Sequence, residues 1–254
     1  MGKTIGIALS GGGARGIAHL GVLKALDKMG IKPSIISGTS AGAIAGAFYA
    51  ANYTIGEIVE IAKKGQFFNF SNILLRKQGL FSMKSFEGIY NEYFPSNSFS
   101  ALDIPLHVTA TNLLKGELEY FSSGNLSKAL MASSCIPMIF QPVPYNNSIY
   151  VDGGVLNNFP IEPLLGKCDV LIGVHVNSIH PVEGNVRMRD VIDRCFHLAM
   201  STTVHEKVSK CQLFIEPPGM SEFSIFDVKK ADEIMECGYK HTLSLETDIQ
   251  ELMS

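Results

Sequence analysis

The chain has 254 residues, which is enough for one large domain or two small ones. A hydrophobic content of 46% with 18% charged residues is typical of a globular protein. The net charge of −3 gives no electrostatic reason to expect a nucleic-acid partner. No apolar stretch is long enough to span a bilayer, and no secretory signal is evident, so any membrane contact is expected at the surface.

The cysteines give information about the compartment. There are five, an odd number, and they are widely spaced with no Cys-x-x-Cys pair. This pattern predicts reduced thiols in a cytoplasmic compartment, and it argues against a disulfide framework or a zinc site.

Strands and helices alternate at the start of the chain. Residues 4–9 form a continuous apolar run that predicts a buried strand, and a glycine turn follows at 10–13. Apolar residues at helical spacing then predict a helix that ends at Gly30. A second strand at 34–37 leads into a helix of small residues. This alternation predicts a parallel α/β sheet.

Residues 66–94 are rich in aromatic side chains, which we interpret as core-facing helix residues; an apolar flap over the site is the alternative. No repeat or linker divides the chain, which favours one domain over residues 1–254. The remaining predicted elements are strands at 105–113 and 117–121, a helix at 126–134, a proline-broken loop at 137–144, strands at 148–151 and 170–176, and helices around 190–210 and 229–242.

A serine lies at the centre of the pentapeptide Gly-Thr-Ser-Ala-Gly at residues 38–42. Gly38 and Gly42 allow a sharp turn that exposes the Ser40 hydroxyl between a strand and a helix. The backbone N–H groups of the following helix favour negative charge at that place. The pentapeptide also occurs by chance in glycine-containing proteins, but the strand, turn and helix around it favour a serine hydrolase.

The sequence Gly-Gly-Gly-Ala-Arg-Gly at residues 11–16 fits the dinucleotide-binding pattern G-x-G-x-x-G. That function needs an acidic residue at the end of the second strand, and residues 36–40 contain none. Consecutive glycines are also suited to an oxyanion hole, because several backbone N–H groups can converge there. Parallel strands would bring this loop and Ser40 to the same carboxyl edge of the sheet.

A serine nucleophile needs a proton acceptor. The chain has seven histidines, but the usual α/β-hydrolase has several strands before its serine and this chain has one. Asp152 is the stronger candidate for the proton acceptor, because it ends a predicted strand and precedes Gly153 and Gly154. The alternative is a turn aspartate that hydrogen-bonds its own backbone.

Taken in order, the glycine loop 11–16, the pentapeptide 38–42 and Asp-Gly-Gly at 152–154 resemble the patatin-like phospholipase family. Residues 132–143, with their prolines, and residues 155–160 are similar to further segments of that family. The resemblance covers about residues 4–176. Residues 180–254 would be a helical C-terminal part of the same domain.

The resemblance implies a three-layer α/β/α sandwich with a central, mostly parallel sheet. It implies hydrolysis of lipid carboxylic esters, of phospholipid or lysophospholipid, through a Ser–Asp dyad and an acyl-enzyme, with no metal or cofactor. The lipid ester is the expected partner, met in the cytoplasm or peripherally at a membrane. The implied residues are Ser40 as nucleophile, Asp152 as its partner, Gly11, Gly12, Gly13 and Ala14 as oxyanion donors, and Arg15, Gly38, Gly42, Gly153 and Gly154 in support.

Arg15 would either brace the glycine loop or meet a phosphate group. Two other functions are compatible with the same fold. One is a general carboxylesterase acting on short-chain esters or monoacylglycerols. The other is a regulatory protein that acts by binding, although such a role does not require an intact serine, aspartate and glycine loop.

Overall fold

The computed structural model describes residues 2–64, 82–178 and 204–254, together with residues 191, 194, 198 and 201. Within these residues, eight strands form one mixed sheet in the order β5-β6-β3-β2-β1-β7-β8, with β4 paired to β3 off this path. The strands are β1 (Ile5–Leu9), β2 (Ile35–Thr39), β3 (Leu106–Asn112), β4 (Glu117–Phe121), β5 (Val143–Tyr145), β6 (Ser148–Asp152), β7 (Val170–Val174) and β8 (Leu213–Ile215).

Helices and short 3₁₀ turns connect these strands. The described helices are α1 (Ala18–Lys28), α2 (Ala41–Ala50), α3 (Ile55–Lys63), α4 (Lys84–Tyr93), α5 (Leu126–Ser133), α6 (Val204–Val208), α7 (Ala231–Ser244) and α8 (Glu246–Met253). None of them combines the length and the apolar character that crossing a membrane requires.

The parallel centre of the sheet positions the predicted site. β1 pairs in parallel with β2 and β7, and β2 pairs in parallel with β3. Because Leu9 is in register with Gly38, the loop after β1 and the turn after β2 lie side by side at one edge. β6 runs antiparallel to β3, which places Asp152 opposite Ala110. Residues distant in sequence therefore meet at the carboxyl ends of β1 and β2.

The two faces of the sheet have separate cores. Side chains alternate along β1, so Ile7 and Leu9 join the larger core while Ala8 joins the smaller one. Helices α1, α2, α5 and α7 contribute buried residues to the larger core. Leu164 and Val204, from a 3₁₀ turn and α6, cover the other face. The predicted three-layer arrangement with a mostly parallel sheet is confirmed.

The predicted elements at residues 4–37, 105–134, 148–151, 170–176 and 229–242 are present, with ends that differ by a few residues. The loop predicted at 137–144 is partly wrong, because β5 begins at Val143. Pro144 is compatible with a strand there because β5 lies at the edge of the sheet, where a missing N–H breaks no ladder. Three elements, α3, β8 and α8, are absent from the sequence-based prediction, although Thr54 and Glu57 form a capping box at the start of α3.

The aromatic segment 66–94 is described only in part. Residues 65–81 lie outside the described residues, as do 179–190 and most positions between 192 and 203 of the predicted helix around 190–210. In the described part, Tyr90 and Phe94 are buried in the larger core, as predicted for core-facing residues. Phe48 packs against Phe94 with ring centroids 4.8 Å apart.

Helices α1 and α7 pack closely against each other, which joins the C-terminal part of the chain to its N-terminal part. A Cβ atom at Gly21 would lie 2.0 Å from the Met235 carbonyl oxygen, and one at Gly238 would lie 2.2 Å from the Ala18 carbonyl oxygen. Glycine at both positions therefore allows the two backbones to touch, and no other residue fits without moving a helix.

We expect Gly238→Ala to lower the free energy of unfolding by about 1–3 kcal/mol, because the added methyl group overpacks the contact between α1 and α7. Urea denaturation followed by circular dichroism measures the change. Gly88→Ala in α4 is the matched control, since a Cβ atom added at Gly88 would meet no other atom within 4 Å. Alanine there should stabilise the protein by about 1 kcal/mol. Equal effects at both positions would contradict the close contact.

Candidate active site

Ser40 occupies a strained turn between β2 and α2. Its φ of 52° and ψ of −121° are unusual for a residue with a side chain. The flanking glycines allow this turn to sit close to its neighbours. A Cβ atom at Gly42 would lie 2.3 Å from the Leu9 carbonyl oxygen, and one at Gly38 would lie 2.6 Å from the Ala43 nitrogen. Ser40 is thus held at the end of β1, where the glycine loop begins.

Asp152 ends β6 and is buried, with 3% of its surface exposed. Its carboxylate accepts a hydrogen bond from the Gly154 N–H at 2.8 Å, which is the turn contact foreseen as an alternative. The Ser40 hydroxyl lies near the same carboxylate and favours its ionised form. The Asp152 carboxylate therefore makes both contacts, one with the Gly154 N–H in its own turn and one with Ser40.

The buried environment changes the proton affinity of Asp152. Loss of solvent raises the pKa of Asp152 from 3.8 to about 6, although the Ser40 hydroxyl and the Gly154 N–H favour the ionised form. Asp152 is therefore mostly ionised at pH 7, yet it binds a proton about a hundredfold more tightly than an ordinary aspartate.

Ser133, at the end of α5, fixes the backbone of Ser40. The Ser40 N–H donates to the Ser133 hydroxyl oxygen at 2.8 Å, and Ser133 is fully buried. Next to it, the Cys135 carbonyl accepts the Asp152 N–H at 2.9 Å. The segment 132–137 resembles the family pattern, but nothing in the sequence assigns these contacts to its members.

The glycine loop has two backbone donors in use and two free among the described residues. The Gly11 N–H donates to the Asn158 carbonyl at 3.0 Å, and the Ala14 N–H donates to the Ile225 carbonyl at 2.8 Å. In the described part of the chain, no acceptor is found for the N–H groups of Gly12 and Gly13. Gly13 has a φ of 56°, which favours glycine. Of the four predicted donors, Gly12 and Gly13 are thus the two that remain available to a ligand.

The supporting residues contact the backbone around the site. The Nε of Arg15 donates to the Phe223 carbonyl at 2.7 Å, a contact that favours the bracing role over a phosphate contact. Gly153 lies against β3, where a Cβ atom would be 2.3 Å from the Thr109 carbonyl oxygen. Gly154 is the donor to Asp152 described above.

Two buried histidines near the glycine loop have other partners. The Nε2 of His19 is 2.8 Å from the Ser10 carbonyl oxygen, and burial lowers the pKa of His19 to about 4. The Nδ1 of His175 is 2.6 Å from the Glu216 carboxylate. Neither ring hydrogen-bonds to Ser40, whereas the Ser40 hydroxyl lowers the pKa of Asp152.

A family model described as patatin-like phospholipase matches residues 7–165. The chain therefore belongs to the patatin-like phospholipase family, a family of lipid acyl hydrolases. The sequence-based resemblance to this family is confirmed.

Two similar proteins are considerably longer than this chain. Lysophospholipase nte1 of Aspergillus fumigatus is 33% identical over 186 residues, which cover 70% of this chain and 12% of that protein. Lysophospholipase nte1 of Aspergillus terreus is 27% identical over 274 residues, covering 94% of this chain and 18% of that protein. The chain thus spans less than a fifth of the length of these relatives.

A solved structure supports the fold. The structure of VipD from Legionella pneumophila superposes with a TM-score of 0.58 at 16% identity, and the match covers 97% of this chain and 67% of that chain. At this level of identity the likeness concerns the fold alone.

The raised pKa of Asp152 predicts a pH-dependent cost to stability. The folded protein binds the Asp152 proton more tightly than the unfolded chain does. The contribution of this proton to the free energy of unfolding is therefore fully present below about pH 4 and is lost as pH rises through 6. Asp152→Asn removes the buried charge. We expect this variant to be more stable than the wild type at pH 8, by up to about 3 kcal/mol.

Thermal and urea unfolding of both proteins at pH 8 and pH 4.5 measure this difference. The gain in stability should be largest at pH 8 and should shrink toward pH 4.5. A gain that does not depend on pH would show that the folded-state pKa of Asp152 is not raised.

Proposed function

We propose that the chain is a serine acyl hydrolase that cleaves the carboxylic ester of a lysophospholipid or phospholipid. The observation that carries this proposal is the buried Asp152 carboxylate beside the Ser40 hydroxyl, close to the free N–H groups of Gly12 and Gly13. Nucleophile, base and oxyanion donors are the three components that acyl transfer requires.

In the proposed reaction, the Ser40 Oγ attacks the ester carbonyl carbon while Asp152 accepts the hydroxyl proton. The carbonyl electron pair moves to the oxygen and gives a tetrahedral oxyanion. When this collapses, the bond to the alcohol breaks, the alcohol takes the proton from Asp152, and Ser40 carries the acyl group. Water, deprotonated by Asp152, then releases the fatty acid and restores Ser40.

The raised pKa of Asp152 supports its role as base. A carboxylate with a pKa near 6 is closer to the working pH than an ordinary aspartate, which improves proton transfer while leaving most molecules ionised. Its burial also excludes water from the Ser40 contact, so hydrogen bonds to developing charge are stronger there than in solvent.

Gly12 and Gly13 are proposed as the oxyanion donors. Gly11 and Ala14 would support them, because their N–H groups hold the loop to Asn158 and Ile225. The positive end of the short 3₁₀ turn Gly13–Ile17, which continues into α1, adds to the field at this place. Removing one such donor typically costs about 3–4 kcal/mol of transition-state stabilisation.

The substrate class is proposed from the relatives and from the surface. The relatives that match most of this chain are named lysophospholipases, which favours a single-chain phospholipid as substrate. Leu113 and Leu114 are 48% and 64% exposed and follow β3 at the same edge of the sheet as Ser40. We propose that these apolar side chains contact a membrane surface peripherally, from the cytoplasm.

We expect Ser40→Ala and Asp152→Asn each to lower hydrolysis by at least about 10³-fold, since each variant removes a group that acts in the transition state. Release of fatty acid from a lysophospholipid and of p-nitrophenol from a p-nitrophenyl ester measure the loss. Ser37→Ala, in β2 three residues before Ser40, is the matched control. Its buried hydroxyl has no partner in the described residues, so its loss should leave the rate unchanged.

A fluorophosphonate probe distinguishes an enzyme from a binding protein on the same fold. The wild type and Ser37→Ala should be labelled covalently, and Ser40→Ala should not. A folded wild type that neither reacts with the probe nor hydrolyses either ester would contradict the proposed function.

The pH dependence should report the Asp152 carboxyl. Because the base must be ionised, kcat/KM should be level above pH 7 and fall about tenfold per pH unit below about 6. Initial rates on a water-soluble ester from pH 4.5 to pH 8.5 measure the profile, with circular dichroism as the control for folding. A level profile down to pH 4.5 would indicate an ordinary aspartate.

A further inference from the structure

We infer that Lys207 is a positioning residue for the active site, acting through the segment Asn157–Asn158. This inference rests on the proposed function, since it assigns how that site is held in place. Lys207 lies in α6, outside the residues matched by the family model, and no sequence pattern marks it.

The ammonium group of Lys207 is buried and fully hydrogen-bonded. The Lys207 side chain is 10% exposed, and its Nζ is 2.7 Å from the Glu162 carboxylate. It also donates to the Asn157 Oδ1 at 2.6 Å and to the Phe159 carbonyl at 2.9 Å. A lysine has three N–H donors, so these contacts use all of them. A lysine buried in this way holds three parts of one segment together.

Asn157 connects Lys207 to the site, and both the amide nitrogen and the amide oxygen of its side chain are hydrogen-bonded. Its Nδ2 donates to the Glu162 carboxylate at 2.8 Å and to the Tyr120 hydroxyl at 3.0 Å. Its Oδ1 accepts from Lys207 and from the Phe159 N–H at 3.2 Å. Burial alone would raise the pKa of Glu162, but Lys207, the backbone N–H of Glu162 and Asn157 together lower this pKa below its usual value.

The backbone of the same segment contacts all three parts of the site. The Asn157 carbonyl accepts from the Thr39 hydroxyl at 3.0 Å, and Thr39 directly precedes the nucleophile. The Asn157 N–H donates to the Gly153 carbonyl at 2.8 Å, in the turn after Asp152. The Asn158 carbonyl accepts the Gly11 N–H at 3.0 Å, at the start of the glycine loop.

Lys207 therefore affects the positions of the reacting groups through the segment Asn157–Asn158, although it contacts none of these groups. Removing its ammonium takes one donor from the buried Asn157 amide oxygen, from the Phe159 carbonyl and from the Glu162 carboxylate, so the segment must rearrange. A displacement of about 1 Å between nucleophile, base and oxyanion donors lowers a rate by about a hundredfold. Substrate binding, which depends on the surrounding surface, is not changed by this displacement.

The test compares Lys207→Met with Lys207→Arg, and with Lys210→Met as the matched control. Lys210 is exposed, three residues further along the chain. We expect kcat of Lys207→Met on a p-nitrophenyl ester to fall about 10- to 100-fold, with KM within about twofold. Lys207→Arg keeps a donor and a charge, and should recover most of kcat. Lys210→Met should match the wild type.

A double variant tests whether Lys207 acts through Asn157. If Lys207 acts through Asn157, then Asn157→Ala lowers kcat by a similar factor and adding Lys207→Met to it has little further effect. A folded Lys207→Met with wild-type kcat and only a lower Tm would overturn the inference, because Lys207 would then serve stability alone. Independent, multiplicative effects of the two substitutions would also overturn it.

Glu162→Gln is a milder variant for the case that Lys207→Met does not fold. It removes the charge partner of Lys207 and keeps an oxygen acceptor, so we expect a severalfold loss of kcat; an unchanged kcat would overturn the inference. A wild type without hydrolysis or probe labelling would instead refute the proposed function, and the inference with it. An active wild type with unaffected variants refutes the inference alone.

Discussion

The contact between the Ser40 hydroxyl and the buried Asp152 carboxylate is the interaction on which the rest of the candidate site depends. An ionised carboxylate is unstable inside a protein unless polar groups surround it. Here the Gly154 N–H donates to it, and the Ser40 hydroxyl also favours the ionised form. This requirement explains why β6 must lie beside β3, and why Ser133 must hold the Ser40 backbone in its unusual conformation. The raised pKa of Asp152 opposes stability at neutral pH and supports the proposed role of this residue as base.

The site is assembled from both ends of the chain. The family model ends at residue 165, yet the glycine loop is held by the Phe223 and Ile225 carbonyls, and Lys207 holds the segment after Asp152. The close contact between α1 and α7 brings this C-terminal part against the N-terminal part. Motifs thus supply the proposed reacting groups, whereas residues beyond the motifs hold them in position.

Much of the fold was predictable because local patterns dictate it. Continuous apolar runs gave β1, β2 and β7, and the small residues after Ser40 gave α2. β5 was misassigned because its proline suggested a loop, and only its place at the sheet edge makes Pro144 acceptable. Nor could a sequence show which of four N–H groups in the glycine loop are free, since the acceptors for Gly11 and Ala14 lie more than 140 residues away.

By itself, the sequence determined the family, the alternation of strands and helices, and the candidate pair Ser40 and Asp152. Glycine spacing and apolar periodicity are local properties, so they can be seen without a structure. The tertiary structure alone decided that the two side chains lie together and that burial raises the pKa of Asp152. It also decided that Lys207 reaches Asn157. Such contacts depend on packing between distant segments and on exclusion of water, which no local pattern encodes.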